Sequence, residues 1–382
     1  MGFHEFSSPY DWSRIAAYKR TAKAAFGGMI DLSVGSPVDP VPDSVRKALA
    51  VAANDPNAYG YPATAGTADL RAAIAEWFSA ARNVDLQAIH ADVVPTVGSK
   101  EGVALMASLL HFGEDDVVVQ PKVSYPTYEI GTQLAGAQVL KVDDVADVAS
   151  WCNVPGVKAV WVNSPCNPTG EVYSAERMAG IVAAAREIGA VVLSDECYAL
   201  MQWRGATNSA DDDPLQSTPC ALRSDVCAGS AEGVLVLYSL SKQSNMAGYR
   251  TAFIAGDESL IASMSAYRKQ IGQIIPGPVQ AAMAAGLRDL ESVKVQYARY
   301  RERLGVLVSA LRAYGYCTDM PDGALYVWVR AKSGDCWTDM EQLAKIGIIA
   351  SPGEFYGAPE CLRFSATASD EAIASAAERL VR

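Results

Sequence analysis

The sequence predicts an α/β protein, with a mostly parallel central sheet in a large domain and a smaller α+β domain after it. Between residues 93 and 238, apolar runs of four to six residues alternate with helical segments. Short apolar strands separated by helices imply parallel strands covered on both faces. After Asp257 the alternation stops and helices dominate until two late extended segments, so the last third reads as a separate unit. At 382 residues the chain has room for both cores. The expected division is 1–42 for an N-terminal arm that also helps complete the small domain, 43–280 for the large domain, and 281–382 for the small one.

In chain order, residues 1–30 form an irregular arm with one amphipathic helix over 12–26, basic along one face. Ile30 to Pro37 is extended and ends in a Gly/Pro turn. Gly35 is either a plain turn glycine or a point where backbone approaches a ligand closely. Pro and Asp start a helix over 42–53. A turn-rich loop, Tyr59 to Gly66, precedes an amphipathic helix over 68–81. A strand over 93–97 leads through Gly98-Ser99-Lys100 into a helix ending near Leu110. The free N–H groups and positive end of such a helix make a seat for phosphate, although any strand–turn–helix unit offers one. Strands over 116–120, 138–142, 158–162, 190–193 and 234–238 follow, with helices over 125–134 and 174–188 between them. The polar stretch between Trp203 and Glu232, with its run of aspartates, reads as an exposed excursion. Helices over 258–271, 279–290 and 291–314 come next; the last is either a lever linking two domains or a plain surface helix. Ala324 to Arg330 alternates as a strand, and Cys361 to Ser365 is extended.

Composition narrows the function classes. A formal net charge of −11 and a pI of about 4.9 argue against a nucleic-acid partner. No apolar run approaches the roughly 18 residues of a membrane span. The first dozen residues lack the basic-then-apolar pattern of a secretory signal, so a cytoplasmic protein is expected. Eight cysteines without a CxxC argue against a disulfide framework or a structural zinc site. The three histidines, His4, His90 and His111, form no catalytic cluster.

The chemistry gathers around residues 233–257. Val234 to Tyr238 is a buried strand, Ser239-Leu240-Ser241-Lys242 a polar loop, and Thr251 to Ala255 a second strand. A lysine where buried sheet gives way to loop can be desolvated and become a nucleophile for a carbonyl. The neighbouring hydroxyls and Arg250 can hold a phosphate. An aldehyde to condense with and an anionic handle together describe pyridoxal phosphate. Taken alone, such a motif is more often a loop with a solvated lysine. Two further strand ends add to it: Asn163 to Gly170 after the strand at 158–162, and Ser194 to Tyr198 after the strand at 190–193. At carboxyl ends of strands in one sheet, Asn167, Asp195, Tyr198 and Lys242 can converge on one crevice.

These motifs, N-P-T-G at 167–170, D-x-x-Y at 195–198, S-x-S-K at 239–242 with Arg250, and R-F-S at 363–365, resemble the fold-type I, class I/II pyridoxal-phosphate aminotransferases along nearly the whole chain. The resemblance implies pyridoxal 5'-phosphate as cofactor and amino acids and 2-oxo acids as substrates. It implies that Lys242 bonds to the cofactor aldehyde and shuttles the substrate proton, and that Asp195 pairs with the ring nitrogen. Asn167 and Tyr198 are implied at the phenolic oxygen, and Ser239, Arg250 and the backbone of Ser99 and Lys100 around the phosphate. Tyr125, with Tyr128 as the alternative, is implied against the ring face. Tyr61 is implied to reach a neighbouring subunit's phosphate, hence a homodimer with shared sites. Arg363 is implied to clamp the substrate carboxylate, with Gly35 closing over it. Read singly, Tyr61 and Tyr125 are packing aromatics, Asp195 a turn cap and Arg363 a surface ion pair. Cys166 and Cys197 read as small fillers.

The runs 31–42, 125–131 and 241–250 are similar to the succinyldiaminopimelate aminotransferases of the lysine and cell-wall pathway, which carry an amino group from glutamate to N-succinyl-2-amino-6-oxopimelate. Arg268 and Lys269 are candidates for reading the distal carboxylates, or surface residues. Aspartate- or aromatic-type aminotransferases share the catalytic set, and so does a cysteine-conjugate β-lyase. A non-catalytic binding module on this fold is disfavoured by the intact Lys242.

Overall fold

The computed structural model describes residues 10–203 and 218–382. Most of the expected excursion after Trp203, and the start of the arm with His4, lie outside the described residues. Seven strands form the main sheet: β1 (Ala91–Val97), β2 (Val117–Pro121), β3 (Gln138–Val142), β4 (Val157–Asn163), β5 (Val191–Asp195), β6 (Val234–Ser239) and β7 (Thr251–Asp257). Their order across the sheet is β1-β7-β6-β5-β4-β2-β3. β7 pairs antiparallel with β1 and β6, and every other neighbouring pair is parallel.

Alternation along each strand explains why both faces are covered. Leu193, Leu235, Leu237 and Ile254 point to one layer, and Val192, Val234, Val236 and Phe253 to the other. Helices Ser99–Leu109 and Glu258–Gln270 bring Val103, Met106, Ile261 and Met264 to the first layer. Helices Ala68–Arg82, Ala175–Glu187 and Gly277–Arg288 bring Ile74, Trp77, Ile181 and Met283 to the second. Each such side chain contributes about 1.5–3 kcal/mol on burial, so both faces of the central strands help to hold the sheet.

The register fixes where the loops emerge. Asn163 lies beside Asp195, Asp195 beside Leu237, Ser239 beside Ala252, and Val97 beside Thr251. The ends of β1, β4, β5 and β6 and the start of β7 therefore share one edge, where open α/β sheets bind ligands.

The chain divides into two compact units, one of residues 36–299 and 322–324, the other of the described residues up to Gly35 with 300–321 and 325–382. The divisions thus fall at 35/36 and 299/300, against the expected 42/43 and 280/281. Packing accounts for both differences. Gln296 and Asn245 hydrogen-bond Asp39 and the Pro40 carbonyl. Helix Gly277–Arg288 packs on helices Asp43–Ala53 and Ala68–Arg82. The long helix Leu290–Ala313 runs through the second division.

In the smaller unit, strand Cys361–Ser365 pairs antiparallel with Tyr326–Arg330 and Ser351–Pro352. Ile30–Asp31 of the arm pairs parallel with Ile348–Ile349, so the arm does contribute to this unit. The arm helix is shorter than expected: a 3-10 turn, Trp12–Ile15, then Ala16–Ala24 before the chain turns extended at Ala25. Helices Cys336–Lys345 and Asp370–Val381 complete the unit.

Candidate active site

Lys242 does not sit in a loop. It lies on a single helical turn, Leu240–Gln243, begun by Ser239, whose Oγ accepts from the Ser241 N–H at 3.1 Å. Leu240 and Gln243, three apart and so on one side of the turn, are both buried. Gln243 accepts from the Tyr238 hydroxyl at 2.7 Å and donates to the Gly286 carbonyl. With that side anchored, Ser241 and Lys242 remain half-buried at the sheet edge. The sequence reading missed this turn because its anchors are a polar glutamine and a serine cap.

Across the antiparallel β6–β7 pair stands Arg250, in the left-handed conformation at φ 58°. Its Nη1 donates to the Ala247 carbonyl at 2.9 Å. Its guanidinium covers Gly98: a Cβ added there would lie 2.6 Å from the Arg250 Cζ. Gly98 itself has φ 77° and is followed at once by helix Ser99–Leu109. A fixed cation thus crowds the positive end of a helix, an arrangement that favours an anion between them. Ser239 belongs to the same corner through its bond to the Thr251 carbonyl at 3.0 Å. Ser99 is half-buried and Lys100 exposed.

Asp195 closes β5 as a buried carboxylate. Its Oδ2 accepts from the Tyr128 hydroxyl at 2.8 Å and its Oδ1 from the Cys197 N–H at 3.1 Å. Burial pushes the carboxyl up, and the bonds from Tyr128 and Cys197 offset part of that rise. A buried anion held by neutral donors suits a cationic partner. Cys197 ties the corner together: burial and the Asp195 charge push its thiol well up, while a bond to Ser99 and the charge of Lys242 act the other way. Burial likewise pushes the Cys166 thiol up to about 11, despite bonds from Thr169.

The N-P-T-G loop is held by a residue the sequence reading passed over. Asn163 donates to the Asp195 and Pro165 carbonyls and accepts from the Asn167 N–H at 2.8 Å. Asn167 and Tyr198 are both buried. Tyr125 is half-buried, edge-on to Tyr128 at 5.7 Å. Tyr128, the alternative for ring stacking, is instead stacked on Trp161 at 4.4 Å with its hydroxyl committed to Asp195. Tyr61 projects fully into solvent from its loop. Arg268 is no reader of substrate carboxylates: it is fully buried and bidentate to Glu101 at 2.9 and 3.2 Å. Lys269 is exposed.

The smaller unit carries Arg363 and Gly35. Arg363 lies between two phenol rings, 4.0 Å from the centroid of Tyr326 and 4.8 Å from that of Tyr356, and its Nη2 donates to the Ser33 carbonyl at 2.8 Å. Gly35 abuts Tyr326, whose Cε1 a Cβ would approach to 3.0 Å. Thr367 holds the preceding turn through the Val34 carbonyl. The guanidinium is thereby fixed as a planar donor suited to a carboxylate. Neither tyrosine was singled out in the sequence, where each reads as a plain strand or turn aromatic.

Gly98, which a Cβ would fill, the cation above it, and the buried Asp195 carboxylate all fit pyridoxal phosphate. The fold and this strand-edge chemistry define a pyridoxal-phosphate-dependent transferase of fold type I. The chain belongs to the class I and II aminotransferases, whose family model it matches over residues 27–380, and it is a pyridoxal-phosphate-dependent aminotransferase. It is 40% identical to the 4-dedimethylamino-4-oxo-anhydrotetracycline transaminase of Streptomyces rimosus, over 97% of this chain and 98% of that protein. It is 39% identical to a protein of Mycobacterium tuberculosis named as a probable aminotransferase, over 97% and 84%. Among solved structures, a probable N-succinyldiaminopimelate aminotransferase of Thermus thermophilus is similar, with a TM-score of 0.81 and 27% identity over 97% of this chain and 99% of that one. Among the described residues, no helix is long and apolar enough to cross a membrane.

Proposed function

We propose that this aminotransferase works by ping-pong transamination, taking the amino group of glutamate and passing it to N-succinyl-2-amino-6-oxopimelate, a step of diaminopimelate and lysine biosynthesis. The observation that carries the cofactor part is Arg250 seated over Gly98 at a helix start. For the substrate, support comes from the runs 31–42, 125–131 and 241–250 and from the likeness to the Thermus thermophilus protein.

When bound, pyridoxal phosphate supplies an aldehyde carbon that carries the amino group and a ring that accepts electrons from the substrate Cα. Lys242 Nζ would hold the cofactor at its aldehyde carbon and would remove and return the substrate Cα proton. Asp195 holds the ring nitrogen's proton, and Asn167 and Tyr198 donate to the phenolic oxygen. Ser239, Arg250 and the N–H groups of Ser99 and Lys100 hold the phosphate, and Tyr125 covers the ring face. Arg363 binds the substrate α-carboxylate bidentately, where the absence of a side chain at Gly35 leaves room for close backbone. Tyr61, fully exposed here, would reach the phosphate of a second copy, so that the working form is a homodimer, and we place that homodimer in the cytoplasm.

A second reading has one observation in its favour: the 40% identical relative is named for a 4-oxo-anhydrotetracycline, so a bulky ring ketone is a candidate acceptor. The test is the visible absorbance of the purified protein with pyridoxal phosphate, followed through glutamate and then one keto compound at a time. Recovery of the starting spectrum with the succinylated keto acid, and not with oxaloacetate or an anhydrotetracycline ketone, is the expected result. Recovery with oxaloacetate alone points to an aspartate-type enzyme, and ammonia release without any acceptor points to a β-lyase.

A further inference from the structure

We propose that Tyr128 is a positioning residue for the reaction: its hydroxyl orients Asp195 and sets how firmly that carboxylate leaves a proton on the cofactor's ring nitrogen. The inference rests on the pairing of Asp195 with the ring nitrogen proposed above.

Tyr128 is the second residue of helix Thr127–Leu134 and is buried. Its ring cannot swing, because it lies on Trp161 of β4 with an interplanar angle of 16° and meets Tyr125 edge-on. The hydroxyl meets Asp195 Oδ2 while the Cys197 N–H holds Oδ1. Each carboxylate oxygen therefore has a fixed donor, and the carboxylate plane is set. Titratable groups around the pair include Cys166 of the N-P-T-G loop and Glu196 and Cys197 of the turn after β5, with the Lys242 charge acting on Cys197. A thiol donates weakly. The phenol is then the stronger of the two side-chain donors to Asp195. Burial, with the adjoining Asp195 charge, holds its own ionisation well above the usual tyrosine range. It therefore donates at every working pH, which a titrating imidazole would not.

The sign follows from the donor. A bond to the carboxylate stabilises its charged form, so the shared proton stays on the ring nitrogen. A protonated ring withdraws electrons and makes the proton on the cofactor-bound Lys242 Nζ easier to remove. Losing the phenol lets the proton drift toward Asp195 and makes the Lys242 Nζ proton harder to remove.

The test is a pH titration of the visible absorbance of the holoenzyme, with kcat and KM measured alongside. Tyr128→Phe keeps the ring and is expected to raise the titration midpoint, with kcat falling about tenfold and KM little changed. Asp195→Asn is expected to raise the midpoint further, and adding Tyr128→Phe to it should change nothing more. Replacing Tyr128 by 3-fluorotyrosine keeps shape and hydroxyl but donates more strongly, so the midpoint should fall; this arm stands even if the Phe variant folds poorly. A wild-type midpoint in both Tyr128 variants overturns the inference, as does a Tyr128→Phe shift that persists undiminished in Asp195→Asn. An unmoved midpoint in Asp195→Asn overturns instead the pairing of Asp195 with the ring nitrogen, and this inference with it.

Discussion

Replacing Gly98 by alanine separates the anion seat from ordinary packing. Gly98 has φ 77° and ψ 156°, a backbone region that side chains avoid, and holding alanine there costs about 1–3 kcal/mol. The added Cβ would also lie 2.6 Å from Arg250 Cζ, so the guanidinium has to leave. Losing one hydrogen bond between charged groups costs about 1.5–3 kcal/mol, which at about 1.4 kcal/mol per decade weakens cofactor binding some ten- to hundredfold. Gly102, four residues further along the same helix, is the control. Its Cβ would meet nothing nearer than 3.6 Å, and alanine in a helix interior is favoured over glycine by about 0.8–1 kcal/mol. Equilibrium dialysis of pyridoxal phosphate and thermal melting of the cofactor-free protein read the two effects apart. Gly98→Ala should melt lower and bind far more weakly, while Gly102→Ala should melt at least as high and bind as wild type. A Gly98→Ala protein with wild-type cofactor affinity would refute the seat.

Other substitutions test the remaining parts. Arg250→Gly removes the guanidinium but also relieves a left-handed non-glycine residue, worth about 1–2 kcal/mol; the cofactor-free protein should be no less stable while cofactor affinity falls, as melting and dialysis will report. Glu196→Ala strands the buried Arg82 guanidinium, now paired at 2.8 Å with both side chains out of solvent, and should cost about 3–5 kcal/mol in chemical denaturation. Arg363→Lys loses the planar fork held between Tyr326 and Tyr356; steady-state kinetics should give a KM raised at least tenfold with the melting temperature nearly unchanged.

Much of this was legible in the chain because the sheet is buried on both faces. Strands such as β6 and β7 are apolar through their middles, and their ends fall where polar motifs begin, so Asn167, Asp195, Tyr198 and Lys242 could be expected in one crevice from the strand ends, while Arg250 was added by its place after Lys242 and by the family resemblance. What escaped was contact between distant segments. Nothing local in Gly98 announces that Arg250 will lie on it, and nothing in Tyr128 announces a bond to Asp195. The single turn carrying Lys242 read as loop because its buried face is one leucine and one glutamine. Helix Cys336–Lys345, capped by Asp335 on the Thr338 N–H, went unread although its cap residue was visible. Arg268 looked like a surface cation because its partner, Glu101, lies on another helix. The boundary at 299/300 depends on which helices share faces, and no composition shift marks it.

The central claim is that Lys242 carries the cofactor. Borohydride reduction of the protein loaded with pyridoxal phosphate, followed by peptide mass spectrometry, tests it directly. The account predicts one stoichiometric pyridoxyl adduct, on Lys242, absent after prior incubation with excess glutamate. A main adduct on another lysine, such as Lys100 or Lys269, or none at all, would contradict it.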